Sequence, residues 1–293
     1  MEKNKVENYT EEQRAEINEI TERQYRKMLA EGKYKDLLIK FGQNGNYSVS
    51  NMLYLLSQNP DITVVKGMNE WERAGRHIKE GAKSMEIMAP TKVKYNVKVT
   101  NPDGSPKFDE DGEQIVREKE RTEGFHPNYV FDISDTHMVA GGRSPYLWQM
   151  QEHQREEILT HLAEVYALEE KDTATLQDAL MAVAREMVSD NLEEYLDGLE
   201  YAVEGTYLED LDEVTIRSDF RQLATDSVYY LLSRRCGLDP MELLEEEDFM
   251  HITDYNRLSV LTFLGNAASQ LSESILIDIG KTVHKISLEE ARK

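Results

Sequence analysis

A chain of 293 residues, 40% hydrophobic and 31% charged, has enough apolar content to bury a core, which excludes wholesale disorder. Its single cysteine, Cys236, excludes an intrachain disulfide, and it has neither an apolar leader nor a run of 18 apolar residues, so a cytoplasmic protein that does not engage the membrane is expected. The net charge of −22 is uneven: residues 151–250 hold 27 Asp+Glu against 7 Lys+Arg, whereas residues 62–100 hold 8 Lys+Arg against 4 Asp+Glu.

In chain order, residues 10–40 read as one helix, with Thr10 and Gln13 fitting a capping box. "FGQNGNYS" (41–48) breaks it, and a second helix over 49–58 starts from Ser48 or Ser50 and stops before Pro60. "ITVV" (62–65) is a short β-branched run, and "NEWERAG" (69–75) a short helix stopped by Gly75. Residues 84–100 alternate as a strand, with Pro90 at an edge or break. Turn residues at 101–112 lead into a returning strand over 113–122, giving a long hairpin with a polar tip, and "NYVFDIS" (128–134) is a further strand. Beyond a boundary near residue 140 the period is helical throughout, in segments near 147–168, 174–189, 191–203, 215–235, 240–248, 252–266 and 269–291. The expected fold class is α+β: helices on a small, mostly antiparallel sheet in residues 1–140, then an acidic all-helical domain over 141–293.

Two basic groups stand out. In "TKVKYNVKVT" (91–100), Lys92, Lys94 and Lys98 share one face of a strand and Val93, Tyr95, Val97 and Val99 the other. Such a lysine row suits a phosphodiester backbone, or serves to discourage edge-to-edge pairing of strands. "WERAGRHIKEGAKS" (71–84) sets Trp71 beside Arg76, His77, Lys79 and Lys83, the mixture of aromatic and cation that single-strand binders use; alternatively Trp71 is core and the rest a basic loop. His153, Glu157 and His161 lie at helical i, i+4 spacing, a surface pairing more often than a metal site. No H-E-x-x-H, C-x-x-C, Walker A or G-x-S-x-G stretch is present, so neither enzyme chemistry nor a metal or cofactor is expected.

Several stretches together go further: "YSVSNMLYLLSQNPDITVV" (47–65), Trp71, "GRHIKEGAKSMEIMAP" (75–90) and "YVFDISDT" (129–136). In this order they resemble the N-terminal single-stranded-DNA-binding domain of ArdC-type antirestriction proteins, and of large proteins from Gram-positive conjugative elements. The resemblance covers about residues 10–140; Ser84 departs from it, standing where the family has glycine. It implies single-stranded DNA as partner in a mobile element, a conjugative element or phage, with a role in protecting or handling incoming DNA. Asn51, Tyr54, Trp71, Arg76, His77, Lys79, Lys83, Lys92, Lys94 and Lys98 are the candidate contacts, and the valine side of residues 93–99 is read as core-facing. The ArdC metallopeptidase domain, with its H-E-x-x-H, is not carried over. The 141–293 helices would bind a protein partner or self-associate. The alternative is that those acidic helices mimic DNA and inhibit a host defence nuclease.

Overall fold

The computed structural model describes residues 7–45, 47–101, 103–109, 112–141 and 148–292. Helix α1 (Glu11–Ala30) begins at the expected capping box, with the Thr10 hydroxyl accepting from the Gln13 amide at 3.2 Å and the Gln13 side chain accepting from the Thr10 amide at 2.9 Å. The single helix expected over 10–40 is two. Gly32 adopts φ +65, a conformation that costs glycine nothing, and the chain restarts as α2 (Tyr34–Gln43). Helix α3 (Val49–Gln58) is capped by Ser48, whose hydroxyl accepts from the Asn51 amide.

Strand β1 (Val65–Gly67) and the short α4 (Met68–Arg73) lead to β2 (Arg76–Ile78), then to β3 (Met85–Lys98) and β4 (Val116–Asp132). The two strands expected over 113–122 and 128–134 are one continuous β4. One three-stranded antiparallel sheet runs β1-β4-β3, and β2 pairs separately with β5 (Thr136–Met138).

Helices α5 (Arg155–Val165), α6 (Leu176–Leu199), α7 (Glu213–Arg235) and α8 (Leu258–Glu290) follow. The pairs expected at 174–189/191–203 and at 252–266/269–291 are each a single long helix, and residues 240–254 form short 3-10 turns rather than an α-helix. The fold is α+β, as its sequence periods imply.

Helix α7 organises the packing. Every residue from Leu223 to Ser233 is buried, so it is enclosed on all sides by α2, α6 and α8. The hydrophobic core is continuous, running from Tyr25, Leu37 and Phe41 through Leu53 and Val65 to Leu231, Leu264 and Ile279. Polar links reinforce it, with the Tyr34 hydroxyl 2.9 Å from Ser227 Oγ and the Leu258 amide donating to Glu22 at 2.9 Å. Helices α3 and α8 cross closely at Gly265, where a Cβ would lie 2.6 Å from Val49 Cγ2.

Candidate nucleic-acid interface

The most recognisable stretch of the sequence, "FDISDT", turns out to be architectural. Asp132 is buried and accepts the Thr63 amide at 2.6 Å and the Ser134 amide at 2.8 Å, tying the β1 approach to the end of β4. The Phe131 carbonyl accepts the Trp71 indole N–H at 2.9 Å, the Thr136 hydroxyl accepts Arg76 Nε at 2.7 Å, and the Ser134 carbonyl accepts Lys79 Nζ at 2.7 Å.

Trp71 is therefore core, with 0% of its surface exposed, and offers no stacking face. The Arg76 guanidinium lies 5.9 Å from its ring centroid. His77 is exposed and faces His137 across the β2–β5 pair, with ring centroids 5.9 Å apart. Lys83 is exposed on the loop before β3.

Asn51 and Gln58 perform one task from two turns of α3. The Asn51 side chain donates to the Met88 carbonyl and accepts from the Met88 amide, both at 2.9 Å; Gln58 does the same at Glu86, both at 2.8 Å. β3 is an edge strand, and these amides cover its open backbone groups. Tyr54 is half-buried, its hydroxyl donating to Glu86 at 3.2 Å; burial, then the Glu86 charge, pushes it up to about 12, so it remains a donor at neutral pH. Asn51→Ala is expected to cost about 2 kcal/mol, because two backbone groups of Met88 lose their partners. Urea unfolding checks this, and an unchanged midpoint would refute the edge-covering role.

Beyond Thr91 the hairpin leaves the core. None of residues 92–98 or 116–123 is buried. The valine side expected to face a core has none beneath it: Val93, Val97 and Val99 are half-exposed and Tyr95 is 39% exposed. The register decides what each face carries. Thr91 pairs with Gly124 but Lys92 with Thr122, so Glu123 is bulged out and the alternation of β4 is reset.

Lys92, Lys94, Asn96 and Lys98 then stand opposite Thr122, Glu120, Glu118 and Val116, and Lys94 Nζ is 2.6 Å from Glu118. The other face pairs Val93, Tyr95 and Val97 with Arg121, Lys119 and Arg117. The Arg121 guanidinium sits 5.6 Å from the Tyr95 ring centroid and 2.5 Å from Glu123. These three cations were legible in "VREKERTE", where cations and glutamates alternate with period two.

Among the described residues, no group of three or more His, Cys, Asp or Glu is placed to hold a metal ion. His153 instead meets Glu290 at 2.7 Å, and Glu157 meets Lys285 at 3.4 Å. Among the described residues no helix is long and apolar enough to cross a membrane. On the acidic side, α6 ends in exposed carboxylates at Asp190, Glu193, Glu194, Asp197 and, just beyond it, Glu200, with Arg217 paired to Glu193.

Two crystal structures of the antirestriction ArdC protein from the R388 plasmid are similar over 90% of this chain. The metal-free form gives 12% identity, a TM-score of 0.43 and 98% coverage of that chain. The Mn(II)-bound form gives 10% identity, a TM-score of 0.40 and 97% coverage. No curated protein matches the chain. Residues 3–130 match the family described as the N-terminal domain of anti-restriction factor ArdC. That span holds Asn51 with the β3 edge it covers, Trp71, and the whole hairpin with its bulge, and over it the chain carries an ArdC-like N-terminal domain.

Proposed function

We propose that this is a single-stranded-DNA-binding protein of a mobile genetic element, a conjugative element or phage, which handles or protects incoming DNA in antirestriction without catalysing a reaction. The projecting hairpin is the observation that carries this reading. Residues 92–98 and 116–123 set six cations against three carboxylates on a solvated ribbon, in a protein whose net charge is −22. A basic ribbon in so acidic a molecule suits a polyanion, and the ArdC-like domain supplies the setting. Exposed His77 and Lys83 would extend the contact toward the β2–β5 pair, whereas Arg76 and Lys79 already bond within the fold.

The test is fluorescence anisotropy with a labelled oligo-dT at salt concentrations of about 50 and 200 mM. Four neutralised phosphates give log K falling with log salt at a slope of about −3. A second reading, DNA mimicry by the helical half, draws on the carboxylate row of α6. Those residues recur every three or four positions at the C-terminal end of a helix, where the macrodipole disfavours negative charge. A restriction-nuclease cleavage assay run beside the titration separates the two readings: absence of oligo-dT binding at low salt, together with inhibition of the nuclease, sinks the first and supports the second.

A further inference from the structure

The lysine row looks like the nucleic-acid face when β3 is read alone. We propose that the opposite face of the ribbon binds the single strand, with Tyr95 stacking on a base and Arg117, Lys119 and Arg121 contacting phosphates. This rests on the single-strand reading above and locates its working surface.

Three observations carry it. First, the cross-strand partners differ. Glu118 and Glu120 lie among the lysines and one already pairs with Lys94, so a phosphate on that face would meet carboxylates at close range. Among residues 92–98 and 116–123, all described, the opposite face holds three cations, and the one carboxylate not placed among the lysines is Glu123 at the bulge, engaged with Arg121.

Second, Tyr95, the one aromatic side chain in residues 92–98 and 116–122, stands on the arginine face. Tyr95 is 39% exposed, and the Arg121 guanidinium lies over its ring, so that a base on the other side would leave the ring between the two planes. Stacking on an aromatic beside cations is how proteins hold single strands without reading their sequence.

Third, the lysines have a structural use that explains them without DNA. β3 is an edge strand, and beyond Thr91 no helix among the described residues covers it as Asn51 and Gln58 do nearer the core. Lysines on such an edge oppose pairing with another chain. On the arginine face, Arg121 and Arg117 stand directly opposite Val93 and Val97, which suits guanidinium stems lying over half-buried valines with their heads in water.

The experiment uses the full chain, a labelled oligo-dT of about 15 nucleotides and two salt concentrations. Four proteins are compared, with a fifth, Arg117/Arg121→Lys, as a charge-keeping control: wild type, Tyr95→Ala, Arg117/Lys119/Arg121→Gln and Lys92/Lys94/Lys98→Gln. The arginine-face triple is expected to lose at least about tenfold in affinity and to flatten the salt slope by about 2. Tyr95→Ala is expected to lose about tenfold with the slope unchanged. The lysine triple is expected to change affinity less than about threefold. Circular dichroism melting verifies that each variant is folded, and because all seven positions are solvated the transitions should coincide; Arg117/Arg121→Lys, which keeps the charge, should bind close to wild type.

Losses confined to the lysine triple would overturn the proposal while leaving single-strand binding intact, as would equal affinity in all four proteins. Absence of binding by wild type would remove the underlying reading and the proposal with it. Analytical ultracentrifugation covers the other occupant that the charge admits, the acidic helices of a second copy. A wild-type dimer that the arginine-face triple dissociates, with oligo-dT affinity unchanged, would make this face a protein interface and overturn the proposal.

Discussion

Trp71→Ala is expected to lower the unfolding free energy by about 4 kcal/mol, the scale for truncating a fully buried tryptophan. Two losses combine. The indole is 0% exposed, so its removal leaves a cavity where α4 meets the end of β4; its N–H also leaves the Phe131 carbonyl without a partner. Trp71→Phe keeps much of the volume and loses the hydrogen bond, and is expected to cost about half as much. Urea unfolding followed by circular dichroism measures both. The folded fraction of each variant should keep wild-type oligo-dT affinity, since the ring faces the core. A Trp71→Ala protein of wild-type stability that had lost DNA binding would reverse the assignment.

Asp226→Asn is expected to stabilise the protein by about 3 kcal/mol above pH 7, and this pH-dependent gain vanishes below about pH 3. Asp226 is 2% exposed on the enclosed helix α7; burial, with the Asp248 charge adding to it, pushes its carboxyl up to about 6, against hydrogen bonding from Gln222 at 2.8 Å and the pull of Arg185. The sign follows from proton counts. Between about pH 4 and pH 6 the unfolded chain has released this proton while the folded protein keeps it, so stability falls as pH rises through that window. Below it both states are protonated; above it the folded state holds a buried charge. Asparagine has no proton to lose and escapes the decline. Thermal melting of the two proteins across this range gives the difference curve, and a gap that does not vary with pH would show that Asp226 is not buried as an acid.

Element types were legible in the sequence where period and capping agreed, as at Thr10–Gln13 and Ser48. Two kinds of feature were not. Continuity was one: Gly32 ended a helix inside a pattern that read as unbroken, whereas Leu176–Leu199 and Leu258–Glu290 each run as one helix where the pattern read as two. The pairing of β2 with β5 was another, because three-residue strands leave almost no period to read.

At the candidate site the gap was one of register. Alternation in "TKVKYNVKVT" was correct and sorted its own side chains, but the opposing charges belong to β4, and the bulge at Glu123 sets them. No property of residues 91–100 alone could show that carboxylates face the lysines. Asn51 and Trp71 stood within family-like motifs because the fold needs them there, which a motif match does not distinguish from contact with a ligand.

The enclosure of α7 has a consequence for synthesis on the ribosome. Leu37, Leu38 and Phe41 of α2 pack into a core completed by a helix that begins only at Glu213, about 170 residues later. At roughly 5–20 residues per second, that interval is about 10–30 s. Through it, the apolar face of α2 is outside the exit tunnel before its two main packing partners, α7 and α8, have been made. The nascent chain is then a client for whatever holds apolar segments at the tunnel mouth, and slowing translation between residues 43 and 213 should lower the yield of folded protein more than slowing it after residue 235.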